Sequence, residues 1–144
     1  MSMTGLDVFD RTIHKTNTWL KDLMEIMGWD SRHAAYSAMR ATLHALRDRM
    51  PVEEAAHFGA QLPMLIRGFY YEGWRPAGKP IKERHEEHFL AWIAQELKAN
   101  DFAGLIDAER IARGVLQVLS MRVSAGEIED VKHLLPKELR HLWP

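Results

Sequence analysis

Gln61-Leu62-Pro63-Met64-Leu65-Ile66-Arg67-Gly68-Phe69-Tyr70-Tyr71-Glu72-Gly73-Trp74 is the densest aromatic run in this 144-residue chain. A weaker echo closes the sequence: Leu134-Leu135-Pro136-Lys137-Glu138-Leu139-Arg140-His141-Leu142-Trp143-Pro144. Both copies read Leu-Pro, then an arginine four residues after the proline, then an aromatic three residues further on.

The echo belongs to a longer register. Displacing the chain by 73 residues, without gaps, brings Trp19 onto Trp92, Ala35 onto Ala108, Arg40 onto Arg113, Leu43 onto Leu116 and Leu46 onto Leu119. Arg49 then falls on Arg122, Glu54 on Glu127, Leu62 on Leu135, Pro63 on Pro136, Arg67 on Arg140 and Tyr70 on Trp143. Amphipathic helices resemble one another at helical spacing, which accounts for the leucines. It does not account for Leu-Pro, the arginines and a tryptophan sharing one register. The expectation is a tandem duplication of approximately 6–74 and 81–144, joined by the Gly/Pro-rich loop 73–80.

A chain of this length forms one domain by the usual size relation and buries a sizeable core. The formal net charge is −1 and there is no cysteine. Balanced charge does not point to nucleic acid. The cysteine count removes disulfides, thiolate metal sites and cysteine nucleophiles, and fits a reducing compartment. No apolar stretch reaches the ~20 residues of a membrane span, and Met1-Ser2-Met3-Thr4-Gly5 lacks the basic and apolar regions of a signal peptide. The expected location is cytoplasmic.

Periodicity predicts helices throughout. Thr4 and Asp7 mark a start, Leu6, Phe9, Ile13, Leu20, Met24 and Met27 recur at helical spacing, and Gly28 suits a left-handed end, giving a helix over about 5–27. Asp30 or Ser31 caps an alanine-rich helix over about 31–49, whose small side chains permit close helix approach. Pro51 suits a first helical position, and Pro63 either opens a further helix to about Tyr71 or kinks a continuous one. The second half follows the same plan. A helix over 81–99 carries Ile81, Phe89, Trp92, Ile93 and Leu97, and Asp107 caps the next. Ser124-Ala125-Gly126-Glu127 reads as a capping box, and Pro136 opens a last short helix. Period-2 runs of β-branched residues and Asn-Gly turns are absent. The fold class is all-α, with six principal helical segments, or eight if the prolines split the third of each half.

With both Leu-Pro segments in view, the sequence resembles the bacterial domain-of-unknown-function 2267 proteins. The residues that carry the resemblance are Ala41-Thr42-Leu43-His44-Ala45-Leu46-Arg47-Asp48-Arg49, Gln61-Leu62-Pro63 with Arg67 and Tyr70 to Trp74, Gly126 to Val131, and Leu135 to Pro144. The resemblance implies a compact helical bacterial protein and carries no catalytic role.

Motifs that bear chemistry are few. His85-Glu86-Glu87-His88 sets two imidazoles three residues apart, but a zinc-protease helix needs four-residue spacing and a third ligand. A charged solvent face explains it better, so no metal and no cofactor are expected. The paired carboxylates at 53–54, 86–87 and 127–130 sit at helix starts or on polar faces, where they serve as dipole partners. Neither a nucleophile elbow nor a phosphate-cradling glycine loop is present. The best site candidate is the aromatic-basic block Arg67, Tyr70, Tyr71, Trp74 and Arg75, a composition enriched at interaction surfaces. Repeated residues such as Arg67 and Arg140 also suit a structural task at helix ends, whereas Tyr71, Trp74 and Arg75 lack counterparts in the second half. The leading expectation is a non-catalytic adaptor that binds a protein. The alternatives are a weak nucleic-acid binder, an enzyme of unrecognised type, or a small-molecule binder. Oligomeric state is not legible.

Overall fold

A computed structural model describes residues 2–144. Seven α-helices and a C-terminal 3₁₀ helix follow one another: α1 (Asp7–Met27), α2 (Arg32–Asp48), α3 (Val52–Gly59), α4 (Met64–Tyr71), α5 (Glu86–Ala99), α6 (Ala108–Arg122), α7 (Ala125–Leu134) and the 3₁₀ helix (Lys137–Leu142). The described residues contain no strand, as the periodicity predicts.

Helix α2 is the axis of the fold. It packs on α1, α4, α5 and α6, and every residue from Ala41 to Met50 is buried. Its alanines at 35, 38, 41 and 45 leave room for neighbours on all sides. Helix α1 lies on α2 and α6, α5 lies on α6 and α2, and α3 touches α7. Together they enclose one core, running from Trp19 and Leu23 through Leu43, Phe58 and Tyr70 to Phe89, Leu116 and Leu142.

The helix ends follow local chemistry. Ser31 accepts the Ala34 N–H at 3.1 Å, and Asp107 accepts the Arg110 N–H at 3.1 Å. Gly28 closes α1 with φ +71°, and the Trp29 N–H reaches back to the Met24 carbonyl at 2.9 Å. Pro51 and Pro63 occupy the cap positions of α3 and α4, one residue before the expected first helical position, with extended backbones of φ −54° and −56°. The second proline therefore starts a new helix; it does not kink a continuous one. At α7, Ser124 accepts the Glu127 N–H, but the Glu127 carboxylate turns to His57 of α3 at 3.1 Å, so only half of the capping box forms.

One helix start differs from the expectation. Helix α5 begins at Glu86, not at residue 81. Residues 81–85 are non-helical, and the Ile81 N–H bonds to the Asp48 carbonyl at 2.8 Å, tying this segment to the end of α2. At the start of α1, Thr4 Oγ1 accepts the Leu6 N–H at 3.2 Å as expected, and Asp10 in turn accepts from the hydroxyls of Ser2 and Thr4 and from the Thr4 N–H. These bonds, led by Ser2, hold the Asp10 carboxyl below the ordinary aspartate range.

Candidate functional site

The aromatic-basic block divides once it is folded. Arg67 spends its guanidinium on the end of α3: Nε donates to the Gly59 carbonyl at 3.0 Å, and Nη2 to those of Ala60 and Leu62 at 3.3 and 2.9 Å. Arg140 does the same for α7, with Nε on the Lys132 carbonyl at 3.0 Å and Nη2 on that of His133 at 3.4 Å. A helix C-terminus leaves carbonyls without intrahelical donors, and a planar guanidinium covers several at once. Tyr70 has no exposed surface, and its hydroxyl donates to the Ala55 carbonyl at 2.7 Å. Burial raises its phenol well above the ordinary tyrosine range. Tyr70 thus belongs to the core and offers no surface for a partner.

Tyr71 and Trp74 stack outward from it, with ring centroids 4.9 Å apart for Tyr70–Tyr71 and 5.4 Å for Tyr71–Trp74. Both rings are half-buried, and their polar atoms turn inward: the Tyr71 hydroxyl donates to the Ala56 carbonyl, and the Trp74 Nε1 is buried without a partner. Gly59 lets this stack sit down, since a Cβ there would lie 2.8 Å from Tyr71 Cζ and 2.9 Å from Tyr70 Cε2. Of the two exposed residues among the five, Arg67 and Arg75, only Arg75 has neither a side-chain hydrogen bond nor an ion pair among the described residues.

The polar residues of α2 do structural chemistry. His44 Nε2 faces the Phe69 carbonyl at 2.7 Å and Nδ1 faces Glu96 at 2.9 Å. Arg47 Nη1 donates to the carbonyls of Tyr70 and Glu72 at 2.7 and 2.9 Å, while its Nε pairs with Asp48. Arg40 bridges Glu72 and Glu96 at 3.2 Å each. The carbonyls at the end of α4 are thereby anchored to α2, and α2 to α5. Arg49 lies against the rings of Phe89 and Trp92 and pairs with Glu83 at 2.9 Å. Burial lowers its guanidinium from the ordinary arginine range, against the opposing pull of Glu83.

Exposed apolar residues gather near the start of α1 and on α4. The apolar stripe expected along α1 is buried only from Thr16 onward. Before that point Leu6 and Phe9 are 48 % and 47 % exposed, and on α4 Met64 and Leu65 are 49 % and 46 % exposed. The two helices meet here: the Leu65 N–H donates to Thr12 Oγ1 at 3.0 Å, and Val8, Thr12, Pro63 and Met64 line one shallow depression. From Leu65 the face runs into a groove of about 620 Å³ between α1, α2 and α4, with Leu20, Tyr36 and Phe69 among its walls. Lys15 at one end and Arg32 at the other carry no ion pair among the described residues.

Reading the stripe as core misses this face. The signal that finds it is the 73-residue register, which sets Phe9 against Lys82, Met64 against Lys137 and Leu65 against Glu138. His85 and His88 bring their rings to 5.7 Å, but no group of three metal-ligating side chains exists among the described residues. His85 instead sits just before α5 beside Glu138, whose carboxylate accepts the Glu86 N–H at 3.1 Å. No helix among the described residues is long and apolar enough to cross a membrane.

A family model described as "Uncharacterized conserved protein (DUF2267)" matches residues 16–142, and the chain belongs to that family. No curated protein matches it.

Proposed function

We propose that this member of the family is a cytoplasmic protein-interaction module whose partner lays an amphipathic helix along the α1–α4 face. The observation that carries the reading is the exposed apolar set Leu6, Phe9, Met64 and Leu65, of which Leu65 also lines a groove walled by Leu20, Tyr36 and Phe69. Helix-in-groove recognition uses an apolar trough, and here charged side chains stand beside it. The unpaired cations Lys15 and Arg32 at its two ends favour a partner helix whose apolar stripe is flanked by acids. The polar atoms of Tyr71 and Trp74 turn inward, so the contact is assigned to α1 and α4, with Arg75 outside it.

Tandem duplication supports the same reading. Arg67 and Arg140 serve equivalent carbonyls, and Pro63 and Pro136 hold cap positions with matching backbone angles. The packing of α1 on α2 and α6 is mirrored by that of α5 on α6 and α2. Under this correspondence α5 starts level with Ile13, so the first six residues of α1 are an extension the bundle does without. That extension holds the exposed Val8 and Phe9. Packing does not require apolar residues there, since the counterparts of Phe9 and Met64 are lysines.

The test is capture of partners from native cell extract by the tagged wild type, a Phe9→Asp/Leu65→Asp variant and a Gln117→Asp control. A stoichiometric protein retained by the wild type and the control but lost from the face variant is expected, with unchanged melting temperature. Equal capture by all three overturns the reading. A wild-type homodimer that the face variant loses also overturns it, assigning the face to a second copy.

A further inference from the structure

A cavity of about 800 Å³ lies elsewhere: between the extended segment 80–84 and the 134–140 stretch, with Arg49 in its lining. We propose that it binds a small organic phosphate, a compact dianion attached to an apolar body. Lys82, Arg84 and Lys137 all line the groove, and none has a carboxylate partner among the described residues. The two acids that also line it are occupied. Glu83 receives Arg49 Nη2 at 2.9 Å. Glu138 receives the Glu86 N–H at 3.1 Å and faces His85 at 3.3 Å. The groove lining therefore holds five cationic side chains, Arg49, Lys82, Arg84, Lys137 and Arg140, against two carboxylates, in a protein whose overall charge is −1.

Apart from these charged groups and the guanidinium groups of Arg49 and Arg140, the wall is apolar, from Pro80 and Ile81 on one side to Leu134, Leu135 and Pro136 on the other. A volume in the range of ordinary ligand sites, apolar walls and convergent charge of one sign describe a pocket for a metabolite-sized anion. An extended polyanion would seek a longer basic stripe, and the balanced charge of the chain does not supply one. Three cations suit a phosphate monoester, whose second ionisation gives it more charge than a monocarboxylate at neutral pH.

Calorimetric titration with 1-naphthyl phosphate tests the assignment, using the full chain, a Lys82→Gln/Lys137→Gln variant and a Lys15→Gln/Arg32→Gln control on the α1–α4 face. All substituted positions are on the surface, and each variant is first checked for an unchanged melting temperature. The wild type and control are expected to bind alike, the groove variant at least ten-fold more weakly, and 1-naphthol not measurably. Absence of wild-type binding, or equal affinity in the groove variant, overturns the proposal. So does a single-stranded 20-mer oligonucleotide that binds more tightly than 1-naphthyl phosphate and is lost with the groove variant, because the groove then serves nucleic acid.

Discussion

Arg67 and Arg140 are the residues whose sequence pattern and structural task agree most closely: each covers the open carbonyls of the short helix before it. Arg67→Ala is expected to cost about 1–2 kcal/mol, since hydrogen bonds from a charged donor are strong but this side chain is partly solvated. Urea denaturation checks the value. His44→Leu leaves the buried Phe69 carbonyl without its donor, and a loss of about 1–3 kcal/mol is expected by the same measurement. The glycines give opposite signs. Gly59→Ala drives a methyl into Tyr71 and Tyr70 and destabilises by about 1–3 kcal/mol. Gly68→Ala, in the interior of α4 with nothing within 4 Å, stabilises by about 0.5–1 kcal/mol. The structural role of Arg67 was readable from the Leu-Pro-to-Arg spacing. The partners of His44 were not, because Phe69 and Glu96 are brought to it only by tertiary packing.

Among the elements, seven of the eight helical starts were legible to within about two residues, because caps and prolines mark them locally. The start of α5 was not. Residues 81–85 continue the apolar and charged pattern of a helix, yet the Ile81 N–H is drawn to the Asp48 carbonyl and Glu83 to Arg49, contacts more than thirty residues distant in sequence. The missing cap arrives from the far end of the chain, as the Glu138 carboxylate on the Glu86 N–H. That bond, with help from His85, places the Glu138 carboxyl below its ordinary value of 4.5. A carboxyl whose pKa falls on folding contributes stability that is complete above the unfolded value and lost as pH falls through the folded one. Glu138→Gln is therefore expected to remove part of the acid-side decline in stability and to speed amide exchange in the first turn of α5 at neutral pH. Unchanged exchange at Glu86–Phe89 contradicts this capping role.

On the scale of the whole molecule, one central helix holds its neighbours through buried arginine and histidine side chains, and two surfaces are left over. One is the apolar α1–α4 face and the other the cationic groove. Helical class and one-core architecture follow from periodicity and turn residues alone, but the exposure of the apolar α1–α4 face does not. Hydrophobic spacing on α1 is the same whether Leu6 and Phe9 meet a core or a partner, and only the length of the facing elements decides. The most direct test places the photo-crosslinker p-benzoylphenylalanine at Phe9, Leu65 or Gln117 in turn and irradiates the protein in its native cell extract. The account predicts one discrete protein adduct, shared by the Phe9 and Leu65 positions and absent at Gln117. No adduct at Phe9 or Leu65, or the same adducts at all three positions, would contradict it.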